Sequence, residues 1–415
     1  MRTTAVRLYG KKALRLESFD LPRMERDEIL AKVVSDSICM SSYKAAVQGA
    51  DHKRVPADIS ERPVMIGHEF CGEIVEVGEK WRDKFKAGDR FTIQPALNYK
   101  GSLDAPGYSY HYIGGDATYI IIPNEVMEMD CLLPFNGDAF FHGSLSEPMS
   151  CIVGAFRASY HVKQGTYVHD MGIKDSGKMA ILAGAGPMGL GAIDVALHGE
   201  RRPSLLLVTD IDDKRLARAE ELFPPEKAAE SGVELRYIQT TERPDALEKG
   251  SFDDVFVMAP VKPVVEQADQ LLAKDGCLNF FAGPTDASFS ALINFYDIHY
   301  SFHHIVGTSG GNTEDMRTSI EMMETGRVNP AIMVTHVGGL DAVVDTTLNQ
   351  PRIPGGKKLI YTQINMPLVA LRDLPELGRE NRLYAELGRI VAENRGLWSA
   401  EAERYLLANA EPIAP

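Results

Sequence analysis

Apolar positions along this chain follow two different rhythms. In the first third they alternate with polar ones or run in short blocks bounded by turn residues. Ile29, Ala31, Val33 and Val34 mark a strand over residues 28–38 that leads into Cys39. Residues 70–78 alternate apolar and polar side chains and close on Gly78, which predicts a half-buried strand. Gly88, Asp89 and Arg90 form a turn into a short strand at 91–93, and Thr118 to Ile122 forms another. Between them, residues 98–115 are rich in Gly, Tyr and Pro and read as an exposed loop. Residues 1 to about 150 are thus mainly β.

From residue 179 the rhythm changes. Strands at 179–183, 205–209, 255–258, 277–281 and 304–307 alternate with helices at 187–198, 213–222, 263–273 and 313–325. That alternation predicts a mostly parallel sheet covered by helices on both faces. Residues 355–360 read as a turn into a further strand. In the tail, Leu383, Leu387, Ile390 and Val391 recur at helical spacing within 376–394, and Ser399 can cap a second helix over 400–409. Such a tail covers its own body or contacts a neighbour.

A length of 415 residues exceeds what one core normally fills, so two domains are expected. The formal charge of −14, without any long basic patch, argues against nucleic acid as a partner. Five scattered cysteines suggest no disulfide framework and fit a reducing cytoplasm. The basic N-terminal residues precede no apolar stretch, and no apolar run reaches the length of a bilayer span, so neither secretion nor membrane anchoring is expected.

Two stretches carry candidate chemistry. The turn Gly184, Ala185, Gly186, Pro187, Met188, Gly189 stands between a predicted strand and a predicted helix, as a dinucleotide pyrophosphate requires. Gly184 permits a tight turn, Gly186 a close approach of backbone to phosphate, and Gly189 close helix–strand packing. Asp210 ends the next strand. A carboxylate there accepts from the adenosine ribose and favours NAD over NADP, or else it merely caps the following helix. Lys214 and Arg215 close by soften the preference. The second stretch comprises Cys39, His68, Glu69 and Glu147, whose thiol, imidazole and carboxylates are zinc donors. Their wide spacing is not that of a compact zinc module, and a buried structural cysteine is the plain alternative for Cys39.

Residues Gly67 through Gly78, with Gly88 and Asp89 downstream, resemble the signature of the zinc-dependent medium-chain dehydrogenase/reductase family, and the likeness covers residues 1–360. The resemblance implies an α/β two-domain fold: a GroES-like, β-rich catalytic domain over 1–155, a Rossmann doubly wound parallel sheet over 156–311, and a return to the catalytic domain with a C-terminal helical extension over 312–415. It assigns Cys39 and His68 to one catalytic zinc, with Glu69 and Glu147 alternating between direct and water-mediated contact. It also implies an NAD(P)-dependent oxidoreductase, with NAD(H) favoured, and a homodimer or homotetramer that pairs through the strand at Ile305 and Val306.

Two departures from the family pattern qualify this. No cysteine lies between Cys71 and Cys131, so the structural zinc of many relatives is expected to be absent. After Cys39 come Met40, Ser41, Ser42, Tyr43 and Lys44, with Lys44 where relatives place a relay histidine. Ser41 is then the candidate for passing the substrate's proton, with Lys44 or water carrying it outward. The long chain and its extension resemble the sorbitol-dehydrogenase-like branch, which implies a polyol or ketose substrate carrying a phosphate, with L-sorbose 1-phosphate and D-glucitol 6-phosphate as the expected pair. An unphosphorylated polyol or an amino alcohol is the alternative. The cationic candidates for holding a phosphate are Lys44, Lys100, His111, His142 and Arg157.

Overall fold

The computed structural model describes residues 1–243 and 246–413. The chain forms two units, one of Met1–Glu147 with Val334–Pro415 and one of Pro148–Met333.

The first unit is organised around the strand Ile29–Ile38, buried along almost all of its length. Its antiparallel partners are Phe70–Val77, Lys357–Tyr361 and Tyr119–Ile122. The eight-stranded sheet runs in the order Val369–Ala370, Val334–Gly339, Lys357–Tyr361, Ile29–Ile38, Phe70–Val77, Arg90–Ile93, Leu132–Pro134, with Tyr119–Ile122 branching from the central strand. A separate three-stranded sheet joins Leu14–Asp20, Arg2–Leu8 and Val64–Met65. Gly67 turns the chain into Phe70–Val77 at a φ of +90°, and a Cβ there would stand 2.5 Å from the Asp116 amide. Only glycine meets both conditions, and the turn delivers His68 and Glu69 into the interior.

Residues 98–115 do not form the expected exposed loop. Ala105, Tyr108 and Ile113 are buried, and Ala105 and Tyr108 join a core with Ile38, Ala45 and Ile360. Their glycines and prolines mark turns correctly, but the aromatic content anchors the segment inside. The tail also resolves. Helices Arg382–Glu393 and Ala400–Asn409 bury Leu387, Ile390, Val391 and Leu406, and Trp398 is buried in the connection between them. The first of these starts at Arg382 rather than 376 because Asn381 caps it, accepting from the Leu383 amide.

A buried carboxylate helps to fasten this extension to its own unit. Buried Glu403 accepts from the amides of Phe140 and Phe141 at 2.6 and 2.8 Å and from the Tyr361 hydroxyl at 3.0 Å. Trp398 Nε1 donates to the same hydroxyl at 2.7 Å.

In the second unit six parallel strands run in the order Glu234–Gln239, Leu205–Asp210, Lys178–Leu182, Phe252–Val257, Leu272–Phe280, His304–Val306. The unit begins within the helix Ser146–Ala158 rather than at 156, because that helix runs unbroken through the boundary. It extends to Met333 rather than ending at 311. Helix Thr313–Glu324 stays with the sheet, its Asp315 meeting Arg157 at 3.1 Å. His304–Val306 is the free edge of the sheet, with Ile305 exposed. Among the described residues no helix is long and apolar enough to cross a membrane.

Removing the Glu403 carboxylate leaves two buried amides and a hydroxyl without acceptors. Glu403→Ala is therefore expected to lower the stability of the first unit by about 3 kcal/mol. The chain has only two tryptophans, Trp81 and Trp398, both in this unit, so tryptophan fluorescence in urea follows its unfolding. An unshifted midpoint would show that the extension is held by its apolar face, the Trp398–Tyr361 hydrogen bond and the pairing of Glu411–Pro412 with Ile364–Asn365, without help from Glu403.

Candidate metal and dinucleotide sites

Cys39 ends the central strand's run into the helix Met40–Gln48, while His68 and Glu69 follow the Gly67 turn. These two local structures bring the donor atoms of Cys39, His68 and Glu69 within 4.8 Å of one another, and no other such convergence of three His, Cys, Asp or Glu side chains occurs among the described residues. Thiol, imidazole and carboxylate together suit a zinc ion. Burial, reinforced by the charges of Glu69 and Glu147, pushes the Cys39 thiol up to about 12, while burial takes His68 down to about 4. The imidazole is thus neutral and available as a ligand, and the sulfur needs a cation beside it to ionise.

The surroundings orient these groups. Ser42 Oγ lies 3.3 Å from His68 Nδ1, and the hydroxyls of Ser41 and Tyr108 lie 3.3 and 3.2 Å from its Nε2. Ser41 Oγ also donates to Cys39 Sγ at 3.0 Å. Tyr108 comes from the segment expected to be exposed, and its ring tilts against that of His68 at 4.7 Å between centres. Burial, with the Cys39 charge next, holds its phenol far above the ordinary range, so it remains a hydroxyl.

Glu69 is not a free carboxylate. Lys357 Nζ donates to both of its oxygens at 2.5 Å, and Ser37 donates to Oε2. The two side chains are 1% and 8% exposed, so this is a buried ion pair. Burial opposes both charges, yet their attraction prevails: Glu69 is held below the usual carboxylate range and Lys357 above the usual amine range. Sequence reading missed Lys357, Ser37 and Tyr108, since none belongs to a local motif. Glu147, the last residue of the first unit, lies outside the converging triplet, but its charge acts on Cys39, Tyr108 and Lys357.

The cations proposed from sequence disperse. Lys100 sits exposed over the ring of neighbouring Tyr99, His111 Nδ1 lies 3.1 Å from the Pro63 carbonyl, and His142 is 3.6 Å from Asp138. Arg157 belongs to the second unit, where Asp315 and Thr318 hold its guanidinium. Lys44 lies on Met40–Gln48, and its charge is felt by His52.

In the second unit the glycine-rich turn leads into helix Pro187–His198 as expected, with Gly186 as a cap that supplies no side-chain acceptor. A Cβ on Gly189 would stand 2.0 Å from the Gly184 carbonyl, whereas one on Gly186 would meet nothing within 4 Å. The first fact explains close packing, and the second leaves open space facing free helix amides, which fits a pyrophosphate. Asp210 is 4% exposed. Its oxygens accept from the amides of Ala185, Ile211 and Asp212 at 3.2, 2.8 and 3.1 Å, so part of its capacity is used to hold the turn. The next helix is capped by Asp212, not Asp210, and Arg215 lies 3.9 Å from Asp212.

Residues 25–130 match the alcohol dehydrogenase GroES-like domain. The chain is 53% identical to L-sorbose 1-phosphate reductase of Klebsiella pneumoniae over 99% of its own length and 98% of that protein. It is 51% identical to mannitol-1-phosphate 5-dehydrogenase of Aliivibrio fischeri over 98% of its length and 97% of that protein. A putative zinc-binding dehydrogenase of Sinorhizobium meliloti, solved bound to NADP, superposes with a TM-score of 0.70 at 22% identity, covering 87% of this chain and all (100%) of that one.

Lys357→Met strands the Glu69 carboxylate in the interior, and a loss of about 3–5 kcal/mol in the first unit's unfolding free energy is expected. The double variant Lys357→Met/Glu69→Gln should recover much of it. A single variant within 1 kcal/mol of the parent, roughly the worth of an exposed pair, would mean that the pair is not effectively buried.

Proposed function

The chain belongs to the zinc-type medium-chain dehydrogenase/reductase family and is an oxidoreductase acting on a CH–OH group, and from that premise we propose that it interconverts a ketose phosphate and a polyol phosphate with a nicotinamide cofactor. The pair favoured is L-sorbose 1-phosphate and D-glucitol 6-phosphate. Near-complete alignment with a reductase of that ketose, at 53% identity, is the observation that carries the reading. D-Mannitol 1-phosphate is the second reading, supported by the 51% identity to its 5-dehydrogenase.

Cys39 and His68, with Glu69 or Glu147, would hold a zinc ion. The Gly184–Gly189 turn and the amides opening the helix Pro187–His198 would hold the dinucleotide. When bound, zinc supplies Lewis acidity at the substrate oxygen, and the nicotinamide supplies or accepts the hydride. In the reducing direction the ketose takes one hydride at carbon and one proton at oxygen, and NAD(P)H becomes NAD(P)+. The chain's own part is to orient and to move the proton. Ser42 fixes the His68 ring, and Lys357 keeps Glu69 ionised without letting it drift. In this reading the Ser41 hydroxyl, which lies next to both Cys39 Sγ and His68 Nε2, passes the proton, with Lys44 or water beyond it. Remaining acceptor capacity on Asp210 toward a ribose favours NAD(H).

Zinc-loaded protein is expected to oxidise NADH in the presence of L-sorbose 1-phosphate, faster than with NADPH and far faster than with free L-sorbose. Greater activity with D-fructose 6-phosphate would replace the first pair by the second reading, and activity on neither phosphate would end the phosphorylated-substrate reading. Ser41→Ala is expected to lower kcat by roughly a hundredfold with zinc content retained. An unchanged kcat removes Ser41 from the proton path.

A further inference from the structure

Resting on the phosphorylated-substrate reading above, we propose that Arg54, with His52 and Lys53 beside it, recognises the phosphate monoester of the substrate across the Tyr108 ring from the metal group. None of these three was among the cations singled out in the sequence, and of those that were, only Lys44 has its charge felt within this cluster.

The placement is geometric. The phenol ring of Tyr108 is the shared neighbour: the His68 ring centre lies 4.7 Å from its centre and the Arg54 guanidinium carbon 5.9 Å from the same centre. The His52 ring stacks on Tyr108 at 5.7 Å between centres and only 6° from parallel. In L-sorbose 1-phosphate the reacting carbon is bonded to the carbon that bears the phosphate, so with bonds of about 1.5 Å the phosphorus lies about 4 Å from the reacting carbon, and a phosphate–guanidinium pair adds about 4 Å more. A substrate whose reacting carbon is at the metal group can therefore place its phosphate at Arg54.

Arg54 is also held ready rather than loose. Its backbone carbonyl accepts from Ser109 Oγ at 2.6 Å, its amide lies 3.3 Å from His52 Nδ1, and its Nη1 donates to the Leu103 carbonyl at 3.0 Å. The first two contacts hold the backbone of Arg54, the third orients its side chain from the segment that carries Tyr108, and the remaining guanidinium donors suit a fork-like pair with phosphate oxygens.

Charge supports the same assignment. In a chain of net charge −14, neither Lys53 nor Arg54 pairs with a carboxylate among the described residues. Burial lowers the His52 imidazole, and the charges of Arg54, Lys53 and Lys44 lower it further, with no carboxylate offsetting them. The Arg54 charge reaches His68 and Tyr108 as well. Three like charges acting on His52, one of which also reaches His68, are costly unless an anion joins them, and a phosphate dianion is the anion this substrate class brings.

The test is steady-state kinetics of the zinc-loaded full chain with L-sorbose 1-phosphate, D-fructose 6-phosphate, free L-sorbose and free D-fructose. Arg54→Gln is expected to raise KM for the preferred ketose phosphate roughly ten- to hundredfold, with a smaller change in kcat. The phosphorylated-to-free ratio of kcat/KM should collapse, and Arg54→Lys should restore part of it. Inorganic phosphate should compete with the ketose phosphate in the parent protein and much less in Arg54→Gln. If Arg54→Gln does not fold, Lys53→Gln should show the same loss in smaller measure, and an unchanged ratio in that variant would overturn the proposal. If the parent prefers the phosphate and Arg54→Gln keeps that preference, the phosphate is recognised elsewhere and this proposal alone falls. If the parent shows no preference for a phosphate, the substrate reading fails and the proposal with it.

Discussion

The pairing of Glu69 with Lys357 is the constraint around which the first unit is arranged. A carboxylate 1% exposed cannot stay ionised in a protein interior without a counterpart, and a lysine 8% exposed faces the same difficulty. Each makes the other's burial tolerable, and two hydrogen bonds of 2.5 Å fix both in place. Glu69 follows the Gly67 turn, and Lys357 opens the strand Lys357–Tyr361, whose next residue, Lys358, aligns with Ile38, just before Cys39. The pair thereby locks the register of the sheet and the position of the donor group together. Displacing either strand breaks the ion pair.

The same pair tunes the donors. Cys39 is surrounded by the negative charges of Glu69 and Glu147, with Lys357 as the nearby opposing charge. One ammonium does not balance two carboxylates and a thiolate. A divalent cation does, which is why this cluster fits a metal better than a proton relay built on side chains alone.

Much of the scaffold was legible because it is local. The alternation at 70–78 becomes Phe70–Val77, and the glycine-rich turn does open the helix Pro187–His198. Cys39, His68 and Glu69 converge as the resemblance to the dehydrogenase family implied. What was missed is long-range. Lys357 meets Glu69 across 288 positions, and Tyr108 meets His68 from a stretch whose glycines and prolines suggested exposure. No periodicity marks either residue, because each works through a single side chain reaching a distant partner. The units meet between Glu147 and Pro148 rather than at 155 and 156, and the helix Ser146–Ala158 runs on through that charge and proline because a proline in the first turn of a helix does not break it. Asp210 shows that even a correctly located residue can be engaged differently, since its oxygens hold backbone amides in the turn.

The division of the first unit between both ends of the chain has a consequence for the order of events during synthesis. Pro148–Met333 is continuous and can complete its parallel sheet as soon as it has emerged. The first unit cannot. Until Lys357–Tyr361 is made, one edge of Ile29–Ile38 lacks its partner and Glu69 lacks its ammonium. A nascent chain stopped before that strand carries an open sheet edge and an uncompensated charge, both of which disfavour closure of the core. The donor group is therefore among the last features to form, and a released fragment ending near Met333 would contain every strand of the six-stranded parallel sheet while its donor group lacked Lys357.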